Sequence, residues 1–397
     1  MSKLLEKLTA RQLLEYLSVN KLPARQSAYR TFQSTETAIA GLLCDNDILS
    51  ALDTRYIAAL ALLDLSAAFD TVDHTILLQR LQTPFGLCHC VVLVLFVPGS
   101  ASAARVLPWH AVSNIRHPVW RALGVRTRPT PVRTVHGWYC QHYRVPVCRR
   151  HTSIRLQLNA AKTEFMWFVP PRRRYQLPSD HLTVGPVQVK PAASVHDLCI
   201  YLDSDLSMRL HICACFGVPR LIRSIRRSLP RESALTLISS LVMSKLDYCN
   251  VAFAGLSRCE LDRLQSVINA AACLTVEAQR HDHITPLLTD LHWLRFPQRI
   301  QHKLCVVVFN CVHGFAPRYL PEVIRPVANV EPRRRLRSAS SADLTVPATR
   351  RSTLGDSTFA VAGPCAWTTL PDAIRRWSSP DDFKRSLKTY LYVHSYF

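Results

Sequence analysis

Carboxylates are missing from one long stretch of the chain. Between His74 and Thr163 there is no Asp and no Glu, while Arg recurs throughout. Soluble surfaces normally mix both signs, because a one-signed face repels itself and binds polyanions indiscriminately. Glycine is also scarce, at 11 residues against 25 prolines, an odd balance for an α/β enzyme that needs tight turns. The 14 cysteines include no Cys-x-x-Cys pair, which excludes zinc-ribbon and thioredoxin-like spacings. Their irregular spacing also excludes a disulfide framework, so an intracellular, reducing location in cytoplasm or nucleus is expected. The nearest approaches to metal spacing are "CHC" (Cys88 to Cys90) and "HICAC" (His211 to Cys215). Neither has a second pair at zinc distance, and both read as buried or incidental thiols. The longest apolar run, Cys90 to Pro98, falls far short of the roughly 20 residues that span a bilayer. Nothing at the N-terminus reads as a targeting peptide, and no membrane partner is expected.

What the chain does have is positive charge. A formal net charge of +21 over 397 residues points to a polyanionic partner, nucleic acid first and an anionic membrane surface second. Hydrophobic residues make up 48%, enough for a sizeable core in two or three domains.

Patterning divides the sequence. Residues 1–86 are balanced in charge and strongly periodic: an amphipathic helix is expected over 4–17. Ser34, with Glu36 two residues on, marks the start of a helix running through Leu43. "YIAALALLDL" (56–65) reads as a buried strand and "SAAFDTVDHTILLQRL" as the helix after it. Over 87–154 prolines interrupt every candidate element. Order returns in 155–210, where "RLQLNAAKTEFMWF" reads as a loop then a strand and "ASVHDLCIYLDSDL" as another strand. Long amphipathic helices follow in 211–325, including "ESALTLISSLVMSKLDYCNVAFAGL" and "CELDRLQSVINAAACLTV". Residues 326–397 read as loop-rich, with "EPRRRLRSASSADLTVPATRRSTLGDSTFAVAGP" as loop and "DDFKRSLKTYLY" as a closing helix. Strand, carboxylate, then helix is an α/β arrangement, and such folds place chemistry at strand ends.

The stretch "LALLDLSAAFDTVDH" is the most informative. Asp64 ends an apolar strand and Phe69 lies five residues on. Spacing alone leaves two readings: an N-cap, or half of a divalent-metal site for phosphoryl transfer, which needs further carboxylates from elsewhere.

"LPARQSAYRTFQSTETAI" followed by "ALLDLSAAFDTVDHTILLQRL" resembles the fingers and palm of non-LTR (LINE-type, Jockey-like) retrotransposon reverse transcriptases. "RLQLNAAKTEFMWF" and "VHDLCIYLDSDLSM" resemble later palm segments. "RSIRRSLPRESALTLISSLVMSKLDYCN" through "HDHITPLLTDLHWLRFPQRIQHKL" to "RRRLRSAS" resembles the helical thumb and C-terminal region. The resemblance implies an α/β fold, an incomplete right-hand polymerase fingers and palm followed by a mainly α-helical thumb. It implies RNA-directed DNA polymerisation with Mg²⁺ on an RNA template and a DNA primer. Asp64 becomes the first metal ligand and, with Lys162 near the leaving pyrophosphate, a catalytic residue. Phe69 becomes the gate against a ribose 2′-OH, and Arg30 a template or triphosphate contact.

The family also requires a Gly-Val-Pro-Gln-Gly-Ser-Val-Leu-Gly-Pro loop and a Tyr-Ala-Asp-Asp hairpin that supplies the remaining metal carboxylates. Neither is present, and the Asp381–Asp382 pair reads as the N-terminal charge of the closing helix. The missing motifs fit the reading frame one base ahead. In that frame, the codons permitted for "WRALGVRTRPTPVRTVHGW" can spell Gly-Val-Pro-x-Gly-Ser-Val-Leu-Gly-Pro, and "VCRRHTSI" from Val147 can spell Tyr-Ala-Asp-Asp-Thr-Gln-Val. Arg149, Arg150 and His151 then hide the aspartates, because CGA–CGA–CAC contains GAC–GAC. A stretch never selected as protein has no reason to hold carboxylates, and 87–154 is expected to form no packed layer. The family's few dozen residues between the hairpin and the segment matching Arg155 are also missing.

Three basic clusters remain: "PRLIRSIRRSLPR", "VPPRRRYQ" and "VEPRRRLRSAS". Each reads either as a solvated face or as a set of phosphate contacts that displace counterions. "WYCQHY" looks like an aromatic platform but lies in the shifted stretch. By this resemblance the chain is expected to be a degenerate, truncated reverse transcriptase copy that has lost its activity. Its rivals are a non-catalytic, non-specific nucleic-acid-binding remnant and a relic without function.

Overall fold

An uninterrupted apolar run suits a strand covered on both faces, and "AALAL" forms one, β1 (Ala58–Leu62), buried through Ala61. The computed structural model describes residues 30–44, 48–53, 58–66 except 63, 121–122, 157–169 except 160, 182–184, 187–278, 282–327, 343–349 and 356–397, besides isolated positions. It divides into two units: Met1–Ser34, Ala59–Trp167 and Tyr175–Ala192; and Thr35–Ala58, Phe168–Arg174 and Ala193–Phe397.

The first unit is built on strands. After β1 come β2 (Leu65–Ser66), β3 (Arg121–Ala122), β4 (Gln157–Leu158), β5 (Glu164–Phe168), β6 (Leu182–Val184) and β7 (Val187–Val189). β1 is the centre of a three-stranded sheet in the order β3-β1-β5. The strand expected over 56–65 is thus two strands. Asp64, of a type depleted in strands, lies between them. β2 pairs antiparallel with β4, Leu65 opposite Leu158, and β6 with β7. In β5, Phe165 and Trp167 lie edge to face with centroids 5.0 Å apart, and every residue from Phe165 to Phe168 is buried. The described residues of the expected N-terminal helix are helical, with Arg11 and Glu15 paired at 3.1 Å one turn apart. Of the helix expected from Ser66 onward, Ser66 itself belongs to strand β2 and the rest lies outside the described residues. So does all of 87–154 except Arg121 and Ala122, which pair antiparallel with Ala61 and Leu60. Such pairing uses only backbone N–H and C=O groups, so it leaves no side-chain pattern to read.

The second unit is mostly helical. α1 (Thr35–Cys44) and α2 (Ile48–Asp53) precede a hairpin of β8 (Ser194–Asp197) and β9 (Ile200–Asp203). One strand is expected there, but the chain reverses at Leu198 and Cys199, with φ of 41° and 65°. Glycine or asparagine normally marks such a turn, and here neither does. α3 (Arg209–Ile225) follows. The single helix expected over "ESALTLISSLVMSKLDYCNVAFAGL" is instead α4 (Arg231–Leu237), a π-helical stretch (Ile238–Met243), α5 (Ser244–Asp247) and, after a break, a 3-10 turn (Asn250–Phe253). Ser240 and Ser244 donate back to the carbonyls of Thr236 and Ser240, a contact that disturbs helices. The helix stops at Tyr248, before Cys249 at φ 56°.

α6 (Arg258–Val276) opens with the Ser257 hydroxyl accepting from Glu260 N, and α7 (Ile284–Asp290) and α8 (Phe296–Val312) follow. The loop-rich C-terminal expectation is corrected by α9 (Phe359–Thr368), formed from "FAVAGPCAWT". Gly363 and Pro364 hide this helix from sequence. The glycine is there for close packing: a Cβ at Gly363 would lie 3.0 Å from Val308 Cγ2 of α8. α10 (Asp372–Arg375) and α11 (Pro380–Tyr396) end the chain, with Asp381 and Asp382 in the first turn of α11 as expected. The core runs between α8, α9 and α11, where Phe309 stacks on Phe383 at 4.3 Å and Trp367 lies 5.7 Å from the same ring. The fold is mixed α/β, helices with a few small sheets.

Candidate functional site

Pairing of β2 with β4 brings together two residues far apart in sequence. Asn159 N donates to the carbonyl of Asp64 at 2.8 Å, extending that ladder by one bond. A turn follows: Lys162 N donates to Asn159 O at 3.2 Å, and the Thr163 hydroxyl donates to the same oxygen at 2.8 Å. The turn folds Lys162 back over the strand end, with its Nζ 3.9 Å from Asp64 Oδ2. Their side chains are 73% and 42% exposed, so the pair is a surface ion pair contributing at most about 1 kcal/mol.

Arg30 is half-buried in the turn before α1, where its carbonyl accepts from Gln33 N at 3.2 Å. Phe69 lies outside the described residues, as do Arg149, Arg150, His151, "CHC" and "WYCQHY". Mg²⁺ wants near-ideal octahedral oxygen coordination. Asp64 alone, facing an ammonium, does not supply it, and no group of three His, Cys, Asp or Glu able to hold a metal occurs among the described residues. The described donor set therefore does not fit Mg²⁺.

"HICAC" lies on α3. His211 and Cys215 turn into the core while Cys213 is exposed. Neither ring nitrogen of His211 has a hydrogen-bond partner among the described residues, and the ring lies 5.4 Å from that of Phe253. Burial, then the charges of Lys245 and His196, push the His211 pKa down to about 4, and burial raises the Cys215 thiol to about 11. Both are neutral core groups at pH 7. The unfolded chain takes up a proton at His211 near pH 6.5 and the folded chain only near 4. The stability this group contributes is therefore present above about 6.5 and lost as pH falls toward 4. Thermal midpoints measured from pH 7 to 4 should fall less steeply for His211→Phe than for the parent protein. Parallel slopes would contradict this.

The cluster "PRLIRSIRRSLPR" divides in two. Arg220, Arg223, Arg227 and Arg231 are exposed, whereas Arg226 is buried and serves the fold. Its Nε donates to Leu274 O, Nη1 to Leu229 O at 2.7 Å and Nη2 to Thr275 O at 3.3 Å, with Glu277 Oε1 2.9 Å from Nη1. It thus satisfies orphan carbonyls at the C-terminal end of α6. Sequence reasoning missed this role, since nothing local distinguishes Arg226 from Arg227. It also missed two ion pairs around α8. Arg299 clamps Asp247 through one nitrogen at 2.8 and 2.7 Å, and Lys303 meets Glu36 at 2.6 Å. Of the other clusters, Arg172 to Arg174 and Arg333 to Arg335 lie outside the described residues.

No helix among the described residues is long and apolar enough to cross a membrane. Compared with protein-family models and with curated proteins, the chain matches none.

Proposed function

We propose that the chain derives from the reverse transcriptase of a non-LTR retrotransposon, an incomplete fingers and palm followed by a helical thumb. In this reading it binds nucleic acid and does not polymerise. The motifs quoted above support it, and one observation carries it. Asp64 and Lys162, which the resemblance assigns to one catalytic centre, lie 3.9 Å apart across the β2–β4 ladder.

Polymerisation fails on electrostatics. Phosphoryl transfer depends on preorganised charge at the attacking and leaving oxygens, and one exposed carboxylate without the partner aspartates cannot clamp the metal ions that supply it. Binding needs less. Exposed guanidinium groups bind phosphate oxygens and release condensed counterions without any catalytic geometry. Arg220, Arg223, Arg227 and Arg231 supply such a face, and no carboxylate occurs in the sequence between Leu206 and Arg231. That face also favours the second reading, a nucleic-acid-binding remnant retained without catalysis.

A DNA primer annealed to an RNA template tests both parts. Affinity is expected to fall with salt at a logarithmic slope of about −3 to −4, roughly −0.9 per neutralised phosphate. No primer extension is expected in Mg²⁺ or Mn²⁺. Affinity insensitive to salt would defeat the binding claim. Extension abolished by Asp64→Ala would overturn the claim of lost activity.

A further inference from the structure

One helix face in the second unit leaves large apolar side chains exposed. α3 buries His211, Ile212, Cys215, Pro219 and Ile222. On its opposite side Leu210, Ala214, Gly217, Leu221 and Ile225 recur at i, i+4, i+7, i+11 and i+15. This is the spacing of a seam that packs against another helix. Leu210 is 46% exposed, Leu221 71% and Ile225 49%, more apolar surface on one helix than scattered surface leucines explain. In the middle of the seam, a Cβ at Gly217 would meet nothing within 4 Å, which leaves room for a bulky side chain of an approaching helix.

Positive charge borders the seam, and Lys245 reaches it directly, its Nζ donating to Ala214 O at 3.2 Å. Arg220, next to Leu221, and Arg227, in the turn that follows the helix, are exposed, and neither makes an ion pair with a described residue. Arg263 of α6 joins them by donating from Nη2 to Cys213 Sγ at 3.3 Å.

We infer that this face docks an amphipathic helix of another protein, apolar along the seam and acidic on the flank that meets Arg220 and Arg227. An anionic lipid surface fits less well. Two small residues at the centre of the seam would insert little area, and the side of α3 that should carry solvated charge is packed in the core. A second copy would bring arginine-rich flanks together. Nucleic acid would use the arginines and leave Leu221 idle. The docking does not rest on the reverse-transcriptase reading, and Leu221 separates the two.

The probe is a synthetic helical peptide of about 18 residues, leucine at its seam positions and glutamate on the flanks, with a lysine-flanked counterpart. Fluorescence anisotropy with the full chain should give a Kd on the order of 10 μM for the acidic peptide, and binding at least about tenfold weaker for the basic one. Leu221→Ser should weaken acidic-peptide binding about fivefold or more while leaving primer–template affinity and thermal midpoint unchanged. The double variant Arg220→Ala, Arg227→Ala should weaken both ligands. Equal binding of the two peptides, or indifference to Leu221→Ser, would overturn the proposal. So would Leu221-dependent capture by phosphatidylcholine–phosphatidylserine vesicles, or self-association that Leu221→Ser abolishes.

Discussion

Phe383→Ala is expected to destabilise the helical unit by about 3–5 kcal/mol, the range for removing a fully buried aromatic. Phe383, Leu387 and Leu391 are the buried stripe of α11, one turn apart, and they attach that helix to the rest of the core. The Phe383 ring is 0% exposed. It stacks at 16° on Phe309 of α8 and leans against Trp367 of α9, so three helices meet on one side chain. Stacked pairs of this kind are worth about 0.5–1.5 kcal/mol beyond the area they bury. Truncation leaves a cavity bounded by two rigid rings, which cannot collapse to fill it. Since domains are stable by only about 5–15 kcal/mol, the change should be plain in a urea titration followed by helical circular dichroism. A shift below about 1 kcal/mol at unchanged m-value would mean that α11 does not close this core.

Arg226→Ala is the second large effect, at about 2–4 kcal/mol. The guanidinium, with its side chain 8% exposed, reaches three carbonyls and a carboxylate from four different residues. Removing it strips donors from Leu274 O and Thr275 O near the end of α6 and from Leu229 O in the following turn. Each buried group left unsatisfied costs about 1–3 kcal/mol, partly offset where water enters. Lysine brings charge without the planar fork, so Arg226→Lys should recover only a minor part of the loss. By contrast Arg227→Ala, one residue on and exposed, should change stability by less than about 0.5 kcal/mol. Equal effects at the two positions, in the same urea titration, would contradict the assignment.

That contrast shows how far the sequence can be read. α6 is legible because its signal is local, the amphipathic period of "CELDRLQSVINAAACLTV". α11 was legible from Asp381 and Asp382 ahead of an amphipathic stripe, and β1 from an apolar run too short for a helix. The β8–β9 reversal was not legible, because Leu198 and Cys199 adopt positive φ without the residues that normally mark it. α9 was not, because Gly363 and Pro364 look like loop residues until α8 lies against them. In the sequence Arg226 and His211 are only members of a basic cluster and a cysteine motif, and their roles come from residues distant in sequence. At the candidate site, the apolar run before Asp64 marks a strand end, and the resemblance puts Lys162 in a later palm segment. The β2–β4 register that brings them together is a pairing of two-residue strands that carries no pattern of its own.

The central claim is that residues around Val147 to His151 are a polymerase motif read in the wrong frame, and the coding DNA tests it most directly. The account predicts GTA for Val147 and CGA for both Arg149 and Arg150, so that the frame one base ahead reads Tyr-Ala-Asp-Asp. It also predicts a frame-changing event between Gly86 and Trp120 and a second between Ile154 and Arg155. A third base other than A in the codon of Arg149 or Arg150 would remove a hidden aspartate. The middle of the chain would then be an insertion with an origin of its own.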